Sequence, residues 1–284
     1  DATMSIQAAV PQEVEACMVK NPYPGKFIVF EGMDGSGKTT QAQFFAETCT
    51  TKGCSILLTQ EPTKDGMFGK LVRAIYQSPS PERELPSLFE RFFNEGDYGI
   101  MRREASRSAR VRLAEFEAFA EDVMRGGDRF DLASFLQLCY IFDRHDHRVR
   151  VEIPALGAGI HVVSDRDFLS TLAYGACDGV NWRNLLALHE EILGEQFIVP
   201  DVVILLDVLP EVGLERTREK QGTQKDRWDD LERLSKIREA YHEIAGDDFI
   251  SRMVRIAMFS GSAPRHALRE VIFESVESLV GGIC

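Results

Sequence analysis

The residues best suited to chemistry stand together near the start of the chain, in KFIVFEGMDGSGKTT at positions 26–40. Gly32-x-x-x-x-Gly37-Lys38-Thr39 has the spacing of a phosphate-binding loop. Gly32, Gly35 and Gly37 let the backbone curl, so that N–H groups from Met33, Asp34 and Ser36 turn toward phosphate oxygens. A helix starting near Lys38, Thr39 and Thr40 adds its positive end. Lys38 can reach the β- and γ-phosphates of a nucleotide, and the Thr39 hydroxyl can ligate Mg2+. Phosphoryl transfer also needs a carboxylate near the metal and cations over the moving group. Asp165 is suited to the first role, and Arg166 to clamping an acceptor phosphate. The alternative is that Asp165 and Arg166 cap the next helix. Arg216, Arg218, Lys220 and Arg227 fit a cationic flap, or a solvated charged face.

These residues need strands and helices to position them. Phe27, Ile28, Val29 and Phe30 form a continuous apolar run, as expected of a strand buried on both faces. Further apolar runs at 54–59, 160–164, 202–206 and 253–259 predict four more strands, the first two of them also buried. Helical patterns fall between them: 39–52 with Gly53 past its end, 69–77, 128–147, 181–193, a helix opened by Pro210, 228–245, and a last one capped by Ser262 and Pro264. This alternation predicts a three-layer α/β fold, a five-stranded parallel sheet with helices on both faces. In such sheets ligands bind outside the carboxyl ends of the strands. The phosphate loop, the polar loop 60–64 and Asp165-Arg166 should therefore converge.

Residues 1–25 form a weakly patterned arm, and residues 26–284 one domain. Within it, Ser78-Pro79-Ser80-Pro81 opens a helical insertion over about 78–127. Two charged helical patterns there read as a solvated hairpin packed on the domain, or as a partner-binding insertion. One carries Arg102, Arg103, Arg107, Arg110 and Arg112, then Glu115, Glu117, Glu121 and Asp122. Val111, Phe116, Phe119 and Val123 would form its apolar side. Residues 216–227 read as a mobile, charged segment.

The formal net charge of −12 argues against a general nucleic-acid binder. No apolar run approaches a membrane span, and no secretory signal is visible. Six cysteines without a CxxC pair suggest reduced thiols in a cytoplasmic protein. His145 and His147 lack nearby ligands in sequence, so a surface helix is expected there rather than a metal site.

The sequence resembles thymidylate kinases, in particular the bacterial type, over residues 26–77 and 128–280. The carriers are Phe30 to Thr40 with the acidic Asp34 inside the loop; Asp165-Arg166 followed by Ser170-Thr171-Leu172-Ala173-Tyr174; Leu206-Asp207 and Pro210-Glu211-Val212-Gly213-Leu214; and Asp226-Arg227. The resemblance implies a P-loop kinase fold, ATP and Mg2+ as cofactors, and phosphorylation of dTMP. It implies small-molecule nucleotide partners and allows a homodimer. Asp34 would hold the sugar 3′-hydroxyl, and Arg166 with Arg73 the acceptor phosphate. Tyr140 would stack on thymine, Arg144 face O4, Thr171 touch the base edge, and Tyr174 crowd the 2′ position. Arg216, Arg218 and Arg227 would belong to a lid at about 216–227. Gly35 stands where another family type has arginine, in keeping with a lid-supplied cation.

Departures from the family pattern are Gln60 for arginine, with Lys64 a partial replacement, Asp167 for tyrosine, Gly175 for glutamine, and the insertion. They leave alternatives: a kinase for another deoxynucleoside monophosphate or a deoxynucleoside, or a nucleotide-binding regulator without turnover.

Overall fold

The computed structural model describes residues 19–94, 98–127, 131–221 and 230–283. In chain order the strands are β1 (Val19–Lys20), β2 (Phe27–Glu31), β3 (Ile56–Gln60), β4 (His161–Asp165), β5 (Ile198–Val199), β6 (Val202–Asp207) and β7 (Ile256–Ser260). The helices are α1 (Lys38–Thr51), α2 (Met67–Gln77), α3 (Pro81–Asn94), α4 (Tyr98–Glu104), α5 (Arg107–Met124), α6 (Leu132–His147), α7 (Ile153–Gly157), α8 (Phe168–Cys177), α9 (Trp182–Leu193), α10 (Pro210–Gln221), α11 (Leu231–Ala245), α12 (Asp248–Met253) and α13 (Arg265–Val280). A π-helical stretch, Arg148–Glu152, joins α6 to α7.

The main sheet has the order β3-β4-β2-β6-β7 with every pairing parallel. Its register brings Phe30, Gln60 and Asp165 to one level, so the strand ends carrying the site residues sit side by side. Strand side chains alternate between faces. Phe27 and Val29 join a large core with α2, α5, α6, α8, α9 and α11, while Ile28 and Phe30 join a smaller one with α1 and α13. These are the two helical layers the sequence predicts.

Several expectations need correction. β3 is an edge strand, and Leu58 on it is 42% exposed, so it is not buried on both faces. Met253 ends helix α12, and the last strand starts only at Ile256. Part of the arm is structured, because β1 pairs with β5 in a small parallel sheet. Residues 1–18 lie outside the described residues, as do 222–229, which contain Arg227 and half of the expected lid. Cys49, Cys139 and Cys177 are free thiols, but Cys54 is disulfide-bonded, which departs from a fully reduced set.

The largest correction concerns the insertion. It forms three helices, α3, α4 and α5, and it is not a solvated hairpin. Along α5, Ala109, Leu113, Phe116, Ala120 and Val123 recur every three or four residues and are buried, while Val111 is exposed. Phe116 sits among aromatic rings, 5.2 Å from Phe68, 5.9 Å from Phe89, 5.8 Å from Phe135 and 6.3 Å from Phe142 between centroids. Phe68, Phe135 and Phe142 belong to α2 and α6, which carry the site, so the insertion and the site share one core. Its charges also pair: Arg112 binds Glu191 on α9 at 2.7 Å, and Arg102 binds Glu117 at 3.0 Å.

Phe116→Ala should lower stability by about 3–5 kcal/mol, the usual cost of removing a buried ring, read from urea denaturation. Deleting residues 82–125 should leave no cooperative unfolding transition. A deletion variant that unfolds at the native midpoint would return the insertion to the surface.

Candidate active site

Strand β2 ends at Glu31, and the chain then turns through Gly32, Gly35 and Gly37, all with positive φ, before α1 begins at Lys38. A Cβ at Gly35 would fall 2.1 Å from the Gly213 carbonyl oxygen of α10. That contact lets α10 lie against the loop. It delivers Arg216, which donates to the carbonyls of Gly35 at 3.3 Å and Gly261 at 2.9 Å. Arg216 thus borders the phosphate loop directly from α10, whereas Arg218 on the same helix is exposed. Gly35, Ser36, Gly37, Thr40 and Arg216 line a small cavity of about 70 Å3.

On the other side of the loop, the Thr39 hydroxyl donates to Asp165 Oδ2 at 2.5 Å. Asp165 Oδ1 is buried without a hydrogen-bond partner among the described residues. Two oxygens beside the phosphate loop, one of them unpaired, fit the oxygen preference and small ligand share of a protein-bound Mg2+.

Arg166 has φ +80°, a strained conformation for a side chain of this size, and its backbone N–H donates to the Phe30 carbonyl at 2.9 Å. The turn aims its guanidinium back over the loop. It donates to Gly32 O at 3.3 Å, Ser170 Oγ at 2.9 Å and Tyr174 Oη at 3.1 Å, and pairs with Asp34. Tyr174 donates to Asp34 Oδ2 at 2.9 Å, and Lys38 lies 3.3 Å from Oδ1. Burial alone would raise the Asp34 pKa, but Arg166 and then Lys38 hold it well below the usual carboxylate range. Asp34 therefore stays ionised and organises two cations and a phenol.

Asp34, Arg166 and Tyr174 form one wall of a cavity of about 380 Å3, which Arg73, Gln137, Tyr140, Arg144 and Thr171 also line. The expected acceptor-site residues thus share one space. Arg73 also donates to the carbonyls of Pro62 and Thr63, holding the loop after β3. The Tyr140 hydroxyl bonds to that of Tyr76, and burial raises both pKa values. Lys64 lines a separate groove of about 610 Å3 beside Thr39 and Asp165, so it does not replace a cation in the acceptor cavity.

Arg144 is 2% exposed and held from every side. Glu61 binds its Nη2 at 2.6 Å, Asp167 lies 2.8 Å from Nε, and Nη1 donates to Thr171 Oγ1 at 3.1 Å and to His189 Nε2. The other nitrogen of His189 donates to Leu185 O at 2.7 Å, and burial with Arg144 beside it lowers the His189 pKa far enough to keep it neutral. Among the described residues the partner of Nη2 is Glu61, which takes one of its two protons.

Behind Arg144 lies Arg148, fully buried, which donates to both oxygens of Asp167 at 3.0 Å, pairs with Glu152, and lies over the Phe27 ring at 4.5 Å. Asp167, the departure from the family's tyrosine, is thereby turned inward by two arginines. His145 and His147 are also buried, not on a surface helix. His147 Nδ1 lies 3.3 Å from Glu61 and 3.7 Å from Glu152, and its Nε2 is 2.6 Å from the Thr59 hydroxyl. Burial alone would lower its pKa, but Glu152 and Glu61 raise it to about 9.

Sequence reasoning also missed Glu31. It is fully buried, yet accepts from Asp167 N at 2.8 Å, Ser170 N at 3.1 Å, Ser170 Oγ at 2.5 Å and Tyr241 Oη at 2.9 Å. Burial pushes its carboxyl up in spite of these donors. It clamps the start of α8, and so the turn that aims Arg166. The only sequence signal is an acid closing an apolar strand run.

A strand, a glycine loop that cradles phosphate and a second carboxylate strand end define a P-loop nucleotide-binding protein. Residues 30–93 and 118–257 match the thymidylate kinase family model, and the chain belongs to that family. The match narrows the unmatched part of the insertion to 94–117. A probable thymidylate kinase of Thermococcus onnurineus is 33% identical over 221 residues, 77% of this chain and 83% of that one. One of Archaeoglobus fulgidus is 28% identical over 253 residues, covering 89% and 95%. A thymidylate kinase of Bradyrhizobium sp. is 29% identical over 271 residues, covering 92% and 97%. No helix among the described residues is long and apolar enough to cross a membrane.

The raised His147 pKa carries a sign. Its contribution is complete below about pH 6.5, where both states are protonated, and is lost as pH rises through about 9. The loss is on the order of 3 kcal/mol. Urea unfolding between pH 6 and pH 9.5 should show this decline in the wild type and a flatter profile in His147→Gln. Equal slopes in both proteins would contradict it.

Proposed function

We infer that the chain transfers the γ-phosphoryl group of ATP to dTMP, giving dTDP and ADP. The observation that carries this reading is the cavity that starts at Arg166, Asp34 and Tyr174 beside the phosphate loop and ends at Tyr140 and Arg144. Its polar mouth suits a phosphate and a sugar hydroxyl. Its inner end offers an aromatic ring and a guanidinium, which suit a flat base with an acceptor oxygen.

An acceptor phosphate would take over donors of Arg166, leaving Asp34 for the sugar 3′-hydroxyl. An oxygen of that phosphate forms the new bond to the γ-phosphorus as the bond to the β–γ bridging oxygen breaks, and ADP leaves. Lys38, the backbone N–H groups of Met33 to Thr40, and Arg216 neutralise charge that develops in the transfer. Mg2+, held by Thr39 with Asp165 behind it, would supply further charge neutralisation. Catalysis is then positioning and electrostatics, with no covalent enzyme intermediate.

ADP release coupled to a spectroscopic assay tests the activity. Lys38→Ala should lower kcat by roughly 10²–10³-fold or more with its melting curve unchanged. A folded Lys38→Ala protein with near-normal turnover would overturn the mechanism. Arg166→Ala should raise the KM for dTMP at least about tenfold and lower kcat, with ATP affinity by calorimetry within about twofold of wild type. Loss of ATP affinity with dTMP affinity kept would reverse the assignment of the two subsites.

A further inference from the structure

The acceptor cavity contains a polar side chain that neither the phosphate chemistry nor the buried charges use. Gln137 lies on α6, three residues before Tyr140 and seven before Arg144. This spacing puts all three on one face of the helix, in steps of about 5 Å at a rise of about 1.5 Å per residue. It lines the cavity, is 1% exposed, and its amide oxygen has no hydrogen-bond partner among the described residues. A buried carboxamide oxygen without a donor is costly, on the order of 1–3 kcal/mol, and such groups need an explanation. Half a turn about the last bond exchanges the amide oxygen and nitrogen with almost no change of shape, so either end can meet a ligand.

The packing around Gln137 holds it in this place. A Cβ at Gly175 would lie 2.3 Å from Leu185 Cδ1 and 3.4 Å from the Gln137 side chain. Glycine at 175 therefore lets Leu185 and Gln137 approach α8.

We propose that Gln137 reads the acceptor base, pairing its amide with the N3–H and O2 of thymine. The proposal rests on the dTMP reading above. A carboxamide carries one acceptor beside one donor, which is the complement of the –NH–CO– edge of thymine or uracil. Arg144, donor only, is left to O4. Cytosine offers two adjacent acceptors, N3 and O2, and satisfies only the donor half of the amide. Gln137 and Arg144 would then read neighbouring parts of one edge of a base stacked on Tyr140.

The test uses steady-state kinetics of the whole protein with dTMP and with N3-methyl-dTMP, which lacks the N3 proton. The wild type should prefer dTMP by roughly 10²–10⁴-fold in kcat/KM, as a site built to pair a polar edge does. Gln137→Leu should raise the KM for dTMP roughly 10–100-fold, change kcat less than about threefold, and bring the preference for dTMP to within about tenfold. If Gln137→Leu does not fold, Gln137→Asn takes its place, keeping the amide but drawing it back by one methylene, with the same loss expected. Equal effects on both nucleotides, or none, would overturn the proposal and leave Gln137 as packing beside Gly175. A wild type that does not turn over dTMP at all would remove the underlying reading instead.

Discussion

Two buried arginines, Arg144 and Arg148, are the constraint on which the site depends. A lone guanidinium in the interior is prohibitively unfavourable, so the surrounding elements must bring carboxylates to it. They come from separate places: Glu61 after β3, Asp167 after β4, and Glu152 from the π-helical stretch. His147, protonated between Glu61 and Glu152, completes a near-neutral set. Removing one partner from such a set leaves an unpaired buried charge, at about 3–5 kcal/mol. The network ties α6 to two strand ends of the sheet. It also holds Arg144, which lines the inner end of the cavity where the base is proposed to bind, in one orientation before any ligand arrives.

A second set of contacts performs the same service at the phosphate end. Glu31 anchors the first turn of α8 and the phenol of Tyr241, fixing the turn that carries Arg166. Asp34 gathers Arg166, Tyr174 and Lys38. The side chains that would touch phosphate and sugar are thus paired with one another and need only exchange partners when a nucleotide enters. Preorganisation of this kind lowers the reorganisation needed during transfer, which is where phosphoryl-transfer enzymes gain most of their rate. Gly35 belongs to the same design, because its missing side chain admits α10 and Arg216.

Much of this was legible in the sequence where the information is local. The phosphate loop is contiguous, and its glycines and Lys38-Thr39 state their chemistry by spacing alone. The apolar runs predicted the five-stranded parallel sheet, and the strand ends predicted that Asp165 and Arg166 would meet the loop. What could not be read depends on distant partners. Asp167 looks like a surface acid until Arg144 and Arg148 are placed beside it. The charged faces of α4 and α5 suggested a solvated hairpin, while Phe89 on α3 and Phe116 and Phe119 on α5 complete the core around Phe68 and Phe135. The burial of His147 and the partnerless amide of Gln137 are likewise products of packing, although the α6 spacing that links Gln137 to Tyr140 and Arg144 was present in the sequence.

The central claim is that a rigidly held Arg144 selects the base, and nucleotide discrimination measures this most directly. Guanidinium only donates hydrogen bonds, so it pairs with the O4 of thymine or uracil and confronts the amino group of cytosine. The account predicts that the wild type phosphorylates dTMP best, dUMP more weakly, and dCMP about 10⁴-fold less well by kcat/KM, and that Arg144→Met narrows the gap between dTMP and dCMP. A wild type that phosphorylates dCMP as well as dTMP would contradict it.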